Sequence, residues 1–153
     1  LAAGIDARTV EAVIGQRPPL QQVVRRLEAV RAFQRLDEAA ALAAANKRVG
    51  NILKKSDAAP PAAVDTALLN EPDEIALHDA LAAVAPVAQA HFESGDYAAS
   101  LQALAALRAP VDSFFDRVMV NAEDPALRAN RLALLATLHA AMNRVADLSK
   151  LAT

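Results

Sequence analysis

The side chains best suited to chemistry in this 153-residue chain are cations and amides, not nucleophiles. In the stretch DEAAALAAANKRVGNILKK, Lys47, Arg48, Asn51, Lys54 and Lys55 recur at spacings of three, four and seven. On a helix, at about 100° per residue, these five fall within an arc of about 120°. Leu42, Ala45, Val49, Ile52 and Leu53 fall on the opposite side, where a core would bury them. Clustered ammonium and guanidinium groups suit phosphate oxygens, and Asn51 can add a hydrogen bond to a base edge. Solvated lysines opposite a core stripe are also ordinary, so the stripe alone admits both an RNA contact and a plain solvated face.

A second group surrounds an irregular break in VDSFFDRVMVNAEDPALRANRLALL, residues Val111–Leu135. Arg117 and Asn121 precede the break, and Arg128 and Asn130 follow it in the first turns of a new helix, near backbone donors that anions favour. Asn121 serves equally well as a helix C-cap. Arg131 shares the inward stripe of Leu127, Leu134, Leu138 and Val145, so it should pair with a carboxylate such as Asp116 or Asp147. Asn46 flanks the core side of its helix and is expected to bond to neighbouring backbone.

Catalytic chemistry finds no footing. The absence of cysteine excludes disulfides, thiolate metal sites and cysteine nucleophiles. His78, His91 and His139 are dispersed, without a metal-binding pair, and no glycine-rich phosphate loop or nucleophile elbow occurs. Glu71, Asp73, Glu74 and Asp79 gather around a helix start, where carboxylates favour the macrodipole. Phe33, Phe92, Tyr97 and at least one of Phe114 and Phe115 have core-like spacing. An RNA contact would therefore rest on polar groups and fit, with about one ring left for stacking.

The elements that must position these groups are helical. Alanine dominates a hydrophobic share of 54%, glycine numbers only 4 and aromatics 3%, a composition that favours helix over strand. The expected class is all-α, a single bundle of about six to seven helices spanning residues 1–153, with 1–16 loosely attached and 56–64 an internal loop. Asp6 caps a first helix to Ile14; Pro18 and Pro19 open a second to about Leu36, whose Arg25, Arg26, Arg31 and Arg35 read as a solvated surface. A third ends near Lys55. A long helix from Pro72 closes at Gly95, with Pro86 kinking or breaking it. Asp96 caps the next, Val111–Met119 forms a short one, and the last runs from the break to about Leu151. No repeat period suggests a solenoid. The longest apolar run, Leu81–Ala88, is too short for a membrane span, and no secretory signal is visible. The first residue, Leu1, suggests an excised fragment of a longer polypeptide.

Net charge is −2, but residues 1–55 carry +5 and residues 56–153 carry −7. Two arrangements satisfy this asymmetry: a cationic face on an acidic body, or mutual attraction of the two halves.

Three blocks, ANKRVGNIL (Ala45–Leu53), LRAPVDSFFDRVMVNAEDPALRANRLALL (Leu107–Leu135) and RVADLSKL (Arg144–Leu151), resemble the C-terminal end of the glycyl-tRNA synthetase β subunits, from roughly Leu36 onward. Asp124-Pro125-Ala126-Leu127-Arg128 resembles the short motif that names the DALR-type anticodon-binding domain, with Pro125 inserted. The resemblance implies an all-helical domain that holds the anticodon end of glycine tRNA, in a cytoplasmic heterotetramer with the α subunit. It also implies that ATP and Mg²⁺ serve the full synthetase, with no cofactor and no catalysis in this fragment. Lys47, Arg48, Asn51, Lys54, Lys55, Arg117, Asn121 and Arg128 are the expected RNA contacts. The alternative is a helical protein-interaction or assembly domain without direct RNA contact.

Overall fold

The computed structural model describes residues 6–16, 18–56 and 59–152. Among them are seven α-helices: α1 (Ala7–Ile14), α2 (Leu20–Gln34), α3 (Ala39–Lys55), α4 (Pro72–Glu93), α5 (Tyr97–Ala103), α6 (Arg108–Arg117) and α7 (Pro125–Met142), with 3₁₀ turns at Thr66–Leu68, Leu104–Leu107 and Leu148–Leu151. No strand occurs among the described residues. The all-α expectation holds.

Helix starts follow capping chemistry. Asp6 accepts from Thr9 N at 2.8 Å, Asp96 from Ala99 N at 3.1 Å, and Asp124 from Ala126 N at 2.9 Å, each satisfying an amide that the first turn orphans. Pro72 and Pro125 both stand at the first helical position, where a missing N–H costs nothing. The proline inserted in the DALR-like stretch is thus a helix-start device. Pro19 instead occupies the cap position of α2, one step outside the turn expected for it. α4 ends in a Schellman motif: Asp96 N donates to His91 O at 2.9 Å and Gly95 N to Phe92 O at 3.0 Å. Gly95 adopts φ of 82°, the left-handed region that an L side chain resists.

α7 has more buried residues than any other described helix. It buries Ala133, Leu134, Leu135, Leu138, Ala141 and Met142 and packs against α3 and α4. The sequence places its end near Leu151, yet it stops at Met142. Asn143 turns the chain: its Nδ2 donates to His139 O at 2.8 Å, and its Oδ1 accepts from Leu148 N at 3.0 Å and from Asn46 Nδ2 at 2.8 Å. The Leu148–Leu151 turn can then fold back against α1 and α3. Asn46 therefore pairs with a distant amide side chain, not with neighbouring backbone.

Other expectations change with burial. α4 runs unbroken through Pro86, which is exposed together with Ala82, the residue whose carbonyl loses its partner, so water can replace the missing bond. α6 begins at Arg108 and ends at Arg117, taking Pro110 into its first turn. The N-terminal segment is not loose within its described part: Ala12 and Val13 belong to the core, and Ala12 O accepts from Asp147 N at 2.9 Å. Arg26 is buried, not solvated. Its guanidinium carbon lies 5.1 Å from the Tyr97 ring centroid and 5.3 Å from that of Phe92, while Nη1 donates to Val145 O at 2.9 Å. Positions 57 and 58 of the expected 56–64 loop lie outside the described residues; 59–65 is irregular up to the turn at Thr66.

Candidate nucleic-acid interface

The α3 stripe faces solvent. Lys47, Arg48, Asn51, Lys54 and Lys55 are exposed, whereas Leu42, Ala45, Asn46 and Val49 on the opposite side are buried. The helix register places the cations outward because the apolar positions on the same helix have nowhere else to go. Among the described residues, the side chains of Lys47, Asn51, Lys54 and Lys55 make no hydrogen bond or ion pair within the chain. Arg48 differs: its guanidinium sits 4.3 Å from the centroid of the Phe115 ring, above a notch that Asp112 and Asp116 also line. Stacking holds the planar cation in place while leaving its in-plane donors available. Phe115 is the half-buried ring of the aromatic pair, set edge-on to fully buried Phe114 at 5.5 Å.

The break between α6 and α7 is held by two arginines from α7. Arg128 Nη1 donates to Ala122 O at 3.1 Å and Arg131 Nη1 to Met119 O at 2.6 Å. Arg131 is only 4% exposed, and its partner is Glu74 of α4, not Asp116 or Asp147. Glu74 Oε1 also accepts from Glu71 N at 3.1 Å, and Arg131 Nη2 donates to Asn70 Oδ1 at 3.1 Å. Glu74 thus does more than complement the helix dipole; it neutralises a buried cation. No signal in the sequence joins positions 74 and 131. Asn130, placed by the sequence near anion-favouring helix-start donors, is buried as well: it accepts from Asp65 N at 2.7 Å and donates to Asp65 O at 3.0 Å, fixing the 59–65 segment to α7.

Asn121 stays exposed and caps nothing, since α6 ends at Arg117 with Val118 as its C-cap. Arg117 is exposed and lies 3.6 Å from Asp73 at the start of α4. The sequence could not foresee that the two candidate groups meet. An open cleft of about 690 Å³ lies between the C-terminal end of α3 and the break, and Lys55, Asn121 and Arg128 all line it. Ile52, Val120 and Leu132 supply apolar wall. Arg117 is not among its lining residues. Two cations and an amide thus border a recess with apolar walls, with the rest of the α3 stripe leading away along one helix.

Among the described residues no group of three or more His, Asp or Glu side chains is placed to hold a metal ion. No described helix is long and apolar enough to cross a membrane. A helical domain with a solvent-facing cationic helix and a cleft at that helix's end has the form of a recognition domain. The chain is a member of the DALR anticodon binding domain family, which it matches over residues 42–150. It is also similar to proteins named glycine–tRNA ligase beta subunit. It is 70% identical over 149 residues to that of Dechloromonas aromatica, 67% over 150 residues to that of Delftia acidovorans and 59% over 150 residues to that of Nitrosomonas europaea. Each match covers 97% of this chain and 21% of the relative, so the chain spans about a fifth of those proteins.

Proposed function

We propose that this chain is the anticodon-binding domain of a glycine–tRNA ligase β subunit and that it holds the anticodon end of glycine tRNA. The reading rests on one coincidence. A chain of the DALR family, alike over 97% of its length to a glycine–tRNA ligase β subunit, keeps an unpaired cationic stripe on α3 directed at solvent. Its task is orientation and identity checking for ATP-dependent aminoacylation. ATP, Mg²⁺ and the activating chemistry belong to other parts of the synthetase, including the α subunit, in the cytoplasm. An assembly role without RNA contact has less support. The most exposed large apolar side chains, Leu20, Val24 and Met119, are divided between α2 and the break.

The test is a filter-binding titration of the chain against glycine tRNA and an unrelated tRNA at several salt concentrations. Preference for glycine tRNA, with affinity falling steeply as salt rises, is the expected result. Equal binding of both tRNAs by a folded chain would remove direct anticodon readout from the proposal.

A further inference from the structure

We infer that the cleft between α3 and the break takes one nucleobase flipped out of the anticodon loop, and that Asn121 reads its edge. This deepens the reading above and rests on it. The cleft has the composition such a site needs. Its volume of about 690 Å³ accommodates a nucleotide, within the usual range for small-ligand recesses. Ile52, Val120 and Leu132 offer apolar surface to the faces of a base, which gains by leaving water even where no ring is present to stack on. Lys55 and Arg128 on the lining are placed to meet the phosphates on either side of a flipped nucleotide. Asn121 carries both a donor and an acceptor, is exposed, and makes no bond within the described chain. An amide of this kind matches the paired donor and acceptor of a base edge.

The site also divides labour with α3. Lys47 and Lys54 lie outside the cleft lining and can contribute only sequence-independent attraction. Asn121 lines the cleft and can contribute selectivity. Its backbone is held for that purpose: Arg131 grips Met119 O two residues before it, and Arg128 grips Ala122 O one residue after it.

The experiment uses the full chain with the anticodon stem-loop of glycine tRNA and a set of stem-loops changed at one loop position at a time. Competition binding gives an affinity ratio for each position. The wild-type chain should discriminate by about tenfold or more at one loop position, as a lost base contact implies. Asn121→Ala should cut that ratio to about twofold or less with the salt slope unchanged. Ala129→Phe, which fills the cleft from α7, should do the same, its fold verified by circular dichroism. Lys47→Ala combined with Lys54→Ala should weaken every stem-loop alike, lower the salt slope by about two and leave the ratio intact. A wild-type chain that binds without discriminating at any loop position overturns the base site while anticodon-end binding stands. So does a ratio that survives in either folded cleft variant. Failure of the wild-type chain to bind any stem-loop overturns the anticodon-binding reading itself.

Discussion

Arg131 Nε lies 3.1 Å from Glu74 Oε2, and both side chains are almost wholly withdrawn from solvent. The link joins α7 to α4, and the same guanidinium reaches Asn70 and Met119. Removing one partner leaves a buried charge without compensation. Arg131→Met should therefore cost about 3–5 kcal/mol of unfolding free energy, whereas Glu74→Leu combined with Arg131→Met should cost markedly less than the sum of the single changes. Urea denaturation of the three variants measures this, and additive losses would show that the pair is not coupled.

Asp124 accepts from the amides of Ala126 and Leu127 and so closes the first turn of α7. Asp124→Ala should lower stability by about 1 kcal/mol, as loss of an N-cap does. Its salt slope for RNA should match that of the wild type, because a capping carboxylate neutralises no phosphate. A steeper slope in the variant would instead mean that Asp124 repels bound RNA.

Arg48 and Lys47 are neighbours with different surroundings. Arg48→Ala removes the stack on Phe115 and should cost about 0.5–1 kcal/mol, while Lys47→Ala should stay within about 0.5 kcal/mol. Thermal unfolding of both separates them; equal melting temperatures would dismiss the stack as a stabilising contact.

Gly95→Ala places a Cβ on a backbone at φ of 82°, with the Arg25 guanidinium 3.3 Å away. The strain should lower stability by about 1 kcal/mol or more. Gly50→Ala is the control. The nearest atom its Cβ would meet, on His139, is 3.7 Å away, and the helix should tolerate or prefer it.

Asp6 titrates below the ordinary carboxylate value of 3.8, chiefly because its carboxylate accepts from the Thr9 backbone amide. A lowered folded-state value means that the capping stabilisation is present above the unfolded value and is lost as pH falls through the folded one. An NMR titration of the Asp6 carboxyl should show a midpoint below 3.8, with the Thr9 amide resonance moving in step. Asp6→Asn should abolish that movement.

Periodicity and capping make most of the fold readable in the sequence. The outward register of α3 follows from the positions of Leu42 and Val49, and the starts at Asp6, Asp96 and Asp124 follow from one side chain each. What escaped depends on partners far apart in the chain. Glu74 looked like a helix-dipole carboxylate because nothing local marks its use by Arg131. Asn143 ends α7 and is held there in part by Asn46, 97 residues earlier, so helical periodicity continued past the true end. Arg26 looked solvated because its rings, Phe92 and Tyr97, come from α4 and α5. The candidate site divides in the same way. The cationic stripe is a property of one helix and was visible, whereas the cleft arises only when Ile52, Lys55 and Pro60 are brought beside residues 120–132.

The contacts of Arg131 also carry a kinetic meaning. Its bonds to Asn70 and Glu74 span 61 and 57 residues, so neither can form until α4 and α7 have docked. The α3 stripe needs only its own helix. A chain stalled early in folding would expose the full cationic stripe without a cleft beside it, and would attract nucleic acid of any sequence. Pulse-labelled hydrogen exchange should find amides of α3 protected before that of Asp65, which donates to Asn130 of α7 across 65 residues. The base discrimination proposed above would then be the last property the domain acquires.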